Sequence, residues 1–154
     1  MGKIPNVLAT DHGFRDQVKA LPADENTLYN IASCTKAFTA TAIVLLSDDG
    51  RLDMYVPVTR YVLELKDHQV TLVDLLAHRT GYGRLDMSWA GLNSEVLVSH
   101  AELLTRINAV PRICGPRTKW LYNNWMYALA AVVVERTSEE GDYLEFMGKH
   151  VLQK

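Results

Sequence analysis

The chain has 154 residues, of which 48% are hydrophobic and 22% are charged, and its formal net charge is −2 at pH 7. This composition is ordinary for a soluble globular domain with one core. It offers neither a basic surface for nucleic acid nor an apolar run long enough to cross a membrane. With two cysteines and no apolar signal segment at the start, we expect a reduced, cytoplasmic protein with one domain over residues 1–154.

Metal and nucleotide sites are not indicated. The five histidines are scattered, and none stands at ligand spacing from another histidine, a cysteine or a carboxylate. The sequence also lacks a glycine-rich phosphate-binding motif of the dinucleotide or Walker A type. We therefore expect no metal and no cofactor.

The first third of the chain predicts short strands followed by a long apolar helix. Residues 11–16 are typical of a turn flanked by strand residues, residues 21–26 of a polar loop, and residues 29–32 of a short strand entering a turn. From Thr35, small and apolar residues predict a helix that is buried on almost every side. It ends near Gly50, which suits the left-handed conformation after a helix C-terminus.

The rest of the chain predicts helices separated by turns and loops. Thr71 is a candidate helix N-cap, and Gly81 and Gly83 stop the helix that follows it. The other predicted elements are a helical turn at residues 58–63, helices at residues 72–78, from Ser94 or Glu95 to Ile107, at residues 125–136 and at residues 142–152, and a loop at residues 111–119. Helices therefore dominate, and most of any β-sheet would have to come from elsewhere.

A Ser-x-x-Lys sequence stands at the start of the apolar helix. Three residues are close to one helical turn, so the Ser33 hydroxyl and the Lys36 amine fall on one face. Such a serine lies at the positive end of the helix dipole, close to backbone N–H groups that have no partner within the helix. A lysine beside it can accept the proton of its hydroxyl. The same residues are also compatible with a serine N-cap and a solvated lysine.

Further motifs follow in a fixed order. Ser33-x-x-Lys36 is succeeded by Asp-Gly-Arg-Leu-Asp at residues 49–53, by Leu-Leu-Ala-His-Arg-Thr-Gly at residues 75–81, and by Tyr122-x-Asn124. In this order the motifs resemble the serine β-lactamase-related family, which includes class C β-lactamases, penicillin-binding proteins, carboxylesterases and fungal acyltransferases. The resemblance implies an α/β (α+β) fold of the β-lactamase/transpeptidase type. This chain would supply mostly the helical lobe, with an incomplete antiparallel sheet.

The resemblance also implies roles for four residues. Ser33 is the expected nucleophile, Lys36 helps to remove its proton, and Tyr122 acts as general base and then as acid toward the leaving group. Asn124 would hydrogen-bond the substrate. A tyrosine can be this base only if nearby cations lower its pKa. Without the resemblance, a core tyrosine with a satisfied hydroxyl is the simpler interpretation of Tyr122.

Other residues near these motifs have structural interpretations. We expect His78 to belong to a helix stop near the site, and Cys34 to pack inward, because adjacent helical residues point about 100° apart. Trp89, Trp120 and Trp125 are expected in the core or lobe packing, with an apolar acyl pocket as the alternative.

The third family motif, Lys-Thr-Gly or His-x-Gly, is absent from these residues. In the family its strand supplies an oxyanion-hole donor, and losing one such donor costs about 10²–10³ in kcat. We expect a family member truncated at both ends, whose N-terminal signal could also be missing, and whose apolar helix has an uncovered face that favours self-association.

Two functions follow. The first is a serine hydrolase or acyltransferase that acts through acyl-Ser33 on a small-molecule ester, thioester or amide, with a fungal role in secondary metabolism. The alternative is a non-catalytic remnant or interaction module of the same family.

Overall fold

The structure is a computed structural model that describes residues 12–89 and 95–153. These residues form two compact units, the first ending at Ala32 and the second beginning at Ser33. The predicted helix start at Ser94 lies outside the described residues. Within the described ranges, no helix is both long enough and apolar enough to span a bilayer.

The first unit contains a two-stranded antiparallel sheet. Strand β1 is Phe14–Asp16 and strand β2 is Leu21–Pro22, with Phe14 opposite Pro22. The strand at β1 agrees with the sequence, but the prediction of a loop from residue 21 was wrong at β2. The left-handed conformation of Ala20 (φ 51°) ends the turn just before β2 and allows the chain to return along β1.

The predicted strand at residues 29–32 is also wrong. The described sheet has two strands only, so this segment has no strand partner there. Asn30 instead turns its side chain onto the backbone, and its Oδ1 accepts a hydrogen bond of 2.7 Å from the Ala32 N–H. Asparagine commonly offers the backbone this local alternative to a sheet ladder.

The second unit consists of helices and the turns between them. Its helices are α1 (Thr35–Asp48), α2 (Leu72–Leu76), α3 (Leu103–Ala109), α4 (Asn124–Thr137) and α5 (Tyr143–Phe146), which continues as a π-helical segment, Met147–Leu152. Helices α1, α2, α3 and α5 pack around α4. The described chain is thus mostly helical with a small antiparallel sheet, as expected. The centre of the core contains these fully buried side chains: Ile43, Leu46, Leu72, Leu75, Ile107, Met126, Leu129 and Val133.

The helix ends follow the local sequence signals with one exception. Gly50 has φ +72° after α1, and Thr71 forms a capping box with Asp74 at the start of α2. The third helix does not include Glu95. It begins with a 3₁₀ turn, His100–Glu102, because Ser99 and Glu102 form the capping box that starts it.

Helix α1 is buried on one side only. Ala42 and Ile43 are fully buried, whereas Phe38 is 36% exposed and Val44 is 43% exposed. The prediction that this helix is buried on almost every side was therefore wrong for the described chain. The prediction of an uncovered apolar face agrees with these exposures.

Candidate active site

The start of α1 positions a serine and a lysine. Ser33 lies in a 3₁₀ turn, Ala32–Cys34, and Lys36 lies in the first turn of α1. Ala32, directly before the serine, is left-handed with φ 44°, which is uncommon for a residue with a side chain. The N-cap of α1 is Cys34, so Ser33 is not a capping serine and its hydroxyl makes other contacts.

Four side chains that the sequence singled out meet here. The Ser33 Oγ and the Tyr122 Oη share a hydrogen bond of 2.6 Å. The Lys36 Nζ donates to the Ser33 Oγ at 3.2 Å and to the Asn124 Oδ1 at 2.7 Å. A hydroxyl, a phenol, an amine and an amide thus form one connected network, although residues 33 and 122 are 89 positions apart.

A buried asparagine holds Tyr122 and Asn124 in place. Asn123 is the N-cap of α4, and its Oδ1 accepts from the Trp125 N–H at 2.9 Å. Its Nδ2 donates to the Gly83 carbonyl at 2.8 Å. Because Asn123 is fixed, its two neighbours are held against Lys36, which lies 4.9 Å from the centroid of the Tyr122 ring and donates to the Asn124 Oδ1.

The ring of His78 packs against the ring of Tyr122. Its backbone is left-handed (φ 57°), and its ring centroid is 4.5 Å from that of Tyr122. The His78 Nδ1 accepts a hydrogen bond of 3.2 Å from the Asn123 N–H, which requires that nitrogen to be unprotonated. Burial, and then the charge of Lys36, lower the pKa of His78. A neutral supporting ring agrees with the expected structural role.

The phenol of Tyr122 lies between two cations. The Lys36 Nζ is 4.9 Å, and the Arg84 Cζ 5.1 Å, from the centroid of its ring. Burial opposes ionisation of the phenol, but hydrogen bonds to Lys36 and Ser33 and the charges of Lys36 and Arg84 outweigh it. The pKa of Tyr122 is therefore lowered from its ordinary value. This is the direction that a tyrosine general base needs.

Two charged residues of the site were not predicted from the sequence. The Asp86 Oδ1 accepts from the Asn124 Nδ2 at 3.0 Å, and Arg84 forms an ion pair with Asp86. Leu85 between them is left-handed with φ 39°. The only signal was a pair of opposite charges just after the glycines of the helix stop, and this spacing alone does not indicate a site.

Asn124 has both ends of its amide engaged. Its oxygen accepts from Lys36 and its nitrogen donates to Asp86, so Asp86 fixes which end of the amide faces the lysine. An amide nitrogen carries two N–H groups. The second N–H group of Asn124 can therefore make the predicted hydrogen bond to the substrate.

Cys34 and Trp120 differ from expectation. Cys34 is exposed rather than packed inward, because it belongs to the turn before α1 and not to the buried face of the helix. Trp120 is 64% exposed, and its ring contacts the edge of His78 at a centroid distance of 5.7 Å and the ring of Tyr122 at 6.2 Å. Trp125 is buried and Trp89 is partly buried, as predicted. Among the described residues, no group of three metal-ligating side chains is close enough to hold an ion.

Comparisons with known proteins point to one family. A sequence model of the family described as Beta-lactamase matches residues 6–154. Unguisins hydrolase ungD of Aspergillus violaceofuscus is 27% identical over 140 residues, which cover 84% of this chain and 25% of the hydrolase. The chain spans about a quarter of the length of the curated relatives it matches.

Solved structures show the same fold. The D-amino acid amidase of Ochrobactrum anthropi, complexed with L-phenylalanine amide, is 28% identical with a TM-score of 0.79, over 92% of this chain and 40% of the amidase. The octameric penicillin-binding protein homologue of Pyrococcus abyssi is 29% identical with a TM-score of 0.75, over 92% of this chain and 34% of the homologue. These similarities confirm the expected fold class.

Proposed function

This chain belongs to the beta-lactamase family, and we propose that it carries the acyl-serine centre of a hydrolase that cleaves small amides or esters. Ser33 is the proposed nucleophile, Tyr122 the general base and acid, and Lys36 the cation beside both. One observation carries the proposal: the Ser33 hydroxyl lies 2.6 Å from a phenol whose pKa is lowered. An activated serine needs this kind of positioned base.

The proposed reaction has two halves. The Ser33 Oγ attacks the substrate carbonyl carbon while the Tyr122 oxygen takes the hydroxyl proton. The bond to the leaving group breaks, and Tyr122 returns the proton to the departing amine or alcohol oxygen. Water, or an acceptor alcohol in an acyltransferase, then attacks the acyl carbon while Tyr122 takes its proton. The bond from that carbon to the Ser33 Oγ breaks, and Tyr122 returns the proton to the Oγ.

Lys36 and Asn124 have supporting roles in this proposal. The Lys36 ammonium contacts the Ser33 and Asn124 oxygens and forms no ion pair with a carboxylate within residues 12–89 and 95–153. Its charge is therefore available to favour the phenolate form of Tyr122. The remaining N–H of Asn124 is proposed to bind the amide or ester group of the substrate. Asp86 holds Asn124 in the orientation that both contacts need.

The names of two similar proteins support a substrate class for this proposal. One is named a hydrolase of unguisins and comes from a fungus, and another is an amidase of D-amino acids. Amide hydrolysis is therefore our first choice, with ester and thioester cleavage and a role in secondary metabolism as extensions of it. We treat residues 1–154 as one partial domain of the family.

A second candidate function is supported by the uncovered face of α1. Phe38 and Val44 are substantially exposed on a helix that is buried on its other side, and exposed apolar surface favours association. The chain would then act as an interaction module, through self-association or contact with a partner. An octameric relative shows that assembly occurs in similar proteins.

A serine-directed fluorophosphonate tests the proposed function. The purified chain is incubated with the probe, and its intact mass is measured beside Ser33→Ala and Ser47→Ala variants. Ser47 lies on the same helix outside the site, so its variant is the matched control. We expect one adduct on the parent chain and on Ser47→Ala, and a labelling rate at least about 10³-fold lower in Ser33→Ala.

Each outcome distinguishes the two candidates. A single adduct that depends on Ser33 supports an activated nucleophile. A folded parent chain that takes no adduct contradicts the enzyme proposal and leaves the interaction module. Because Cys34 is exposed next to the serine, a Cys34→Ala variant must keep the adduct for its site to be assigned to Ser33.

A further inference from the structure

A cleft of about 340 Å³ lies beside the proposed centre, between the start of α4 and the segment that leads into α3. Its walls are mainly apolar, and its lining includes Trp89, Val96, Val98, Leu103, Trp125 and Ala128. Ser99 and His100 are its polar members besides Asn124. A pocket with mostly apolar walls and a few polar groups is the usual form of a small-molecule site.

Asn124 connects the cleft to the nucleophile. It belongs to the lining of the cleft, and its Oδ1 accepts from Lys36 at 2.7 Å. Lys36 in turn donates to the Ser33 Oγ at 3.2 Å. Two consecutive hydrogen bonds therefore join the wall of the cleft to the proposed nucleophile, so one substrate can reach both.

The indoles of the cleft are incompletely satisfied. The Nε1 atoms of Trp89 and Trp125 are buried and have no hydrogen-bond partner within the described part of the chain. Buried indole N–H groups normally find an acceptor. Both indoles line the cleft, so their ring N–H groups report on what occupies it.

We infer that this cleft is the subsite for the acyl side chain of the group transferred to Ser33, and that it takes an apolar chain or an aromatic ring. This inference rests on the proposed function, since it assigns the substrate class of the same centre. A cavity of about 150 Å³ holds a benzene ring, so the cleft, at about 340 Å³, has room for about twelve carbon atoms. Acetyl-sized groups would leave it largely empty.

The inference predicts a dependence on acyl chain length. Each methylene moved from water into the cleft should raise kcat/KM by about fourfold, until the cleft is full. We expect this rise along 4-nitrophenyl acetate, butanoate and hexanoate with the parent chain. The Ala128→Leu variant narrows the cleft and should flatten the series, whereas Ala131→Leu, on the same helix but outside the lining, should keep it.

A binding measurement separates this inference from the proposed chemistry. Octanamide is titrated into the Ser33→Ala chain, which cannot form the acyl-enzyme, and the three tryptophan indole N–H signals are followed by NMR. We expect saturable shifts of the Trp89 and Trp125 signals with octanamide and little change with acetamide. In the Ala128→Leu background the octanamide affinity should fall about tenfold.

The outcomes are distinct. Fluorophosphonate labelling of Ser33 together with unmoved Trp89 and Trp125 signals overturns the subsite and leaves the acyl-serine centre in place. Octanamide shifts that are equal in the Ser33→Ala chain with and without Ala128→Leu also overturn it. Cleft binding without labelling at Ser33 supports an apolar ligand site but overturns its assignment as the acyl subsite.

Discussion

Two polar networks in the helical unit use charge in opposite ways. Around Ser33, the Lys36 ammonium contacts a hydroxyl, an amide oxygen and an aromatic ring, and no ion pair involves it among the described residues. Around Asp74, a carboxylate that is 4% exposed is matched directly by the Arg117 guanidinium. The first network leaves a positive charge to act on a proton, and the second neutralises its charges.

The Asp74 network is fully satisfied. Arg117 donates to both carboxylate oxygens, at 2.9 Å from Nε and 2.7 Å from Nη2. Thr71 adds its backbone N–H and its hydroxyl. Burial raises the pKa of Asp74, but the hydrogen bonds from Arg117 and Thr71 outweigh burial and lower it. Such a pair fixes geometry and is not available for chemistry.

The two networks are linked through the backbone. The Arg117 N–H donates to the Arg79 carbonyl at 2.7 Å, and the Leu121 N–H donates to the His78 carbonyl at 2.9 Å. These two hydrogen bonds join the segment that carries Tyr122 to the residues just after α2. Arg117, which binds Asp74, belongs to the same segment. The Asp74 network therefore helps to position the Ser33 network, and breaking each network should have a different effect: loss of stability for the first and loss of labelling for the second.

The largest expected effect comes from Tyr122→Phe. This change removes the base that lies 2.6 Å from the Ser33 Oγ but keeps the ring that packs on His78. We expect fluorophosphonate labelling of Ser33 to slow by about 10²–10⁴-fold, while the free energy of unfolding changes by less than about 1 kcal/mol. Rates are measured by intact mass, and stability by urea denaturation.

The control for this prediction is Tyr127→Phe. Tyr127 also faces Lys36, at 5.4 Å from the ring centroid, but its hydroxyl donates to the Leu76 carbonyl instead of Ser33. Its removal should affect stability more than labelling. Equal labelling rates in the parent chain and Tyr122→Phe would rule out Tyr122 as the base.

The sequence predicted the parts of the fold that local rules determine. The Thr71 cap, the left-handed Gly50 and the extents of α1 and α4 follow from residues within a few positions of each other. The site residues Ser33, Lys36, Tyr122 and Asn124 were found because they match ordered family motifs. Their assembly into one network agrees with that match, and their roles stay predictions.

The features that sequence reasoning missed depend on distant contacts or on competing local bonds. Asp86 and Arg84 are recognised as site residues only from the structure, in which Asp86 accepts a hydrogen bond from Asn124 and Arg84 lies over the ring of Tyr122. Conversely, the expected strand at residues 29–32 did not form, because Asn30 bonds to the local backbone. Neither hydrophobic periodicity nor spacing contains this information.

A smaller effect is expected when the paired network is broken. Arg117→Ala leaves the buried Asp74 carboxylate without its cation, so we expect a loss of about 2 kcal/mol in the free energy of unfolding at pH 7. Arg136→Ala is the matched control, because Arg136 also binds a carboxylate with two hydrogen bonds, but that of Glu64, whose side chain is 55% exposed. For Arg136→Ala we expect the free energy of unfolding to fall by less than about 1 kcal/mol.

Lowering the pH should reduce the difference in the free energy of unfolding between the parent chain and Arg117→Ala. Because the folded pKa of Asp74 is lowered, its contribution to stability is complete above the ordinary value of 3.8. It is lost progressively as the pH falls from that value through the lower folded pKa. Urea denaturation at pH 7 and near pH 3.5 gives this comparison. A difference that is constant across this range would show that the carboxylate charge is not what Arg117 compensates.

The smallest effect concerns Arg84, which touches both the ion pair with Asp86 and the ring of Tyr122. Its positive charge contributes to the lowered pKa of Tyr122, so Arg84→Gln should raise that pKa. Because the base acts in its deprotonated form, the ascending limb of the labelling rate against pH should move to higher pH, with a fall of about two- to fivefold near neutrality. Arg84→Lys should restore the limb, and Arg106→Gln, an exposed site on α3, should leave it unchanged. If the ascending limb of the labelling rate moves to lower pH in Arg84→Gln, Arg84 acts through its ion pair with Asp86, which orients Asn124. Its charge then does not act directly on the phenol of Tyr122.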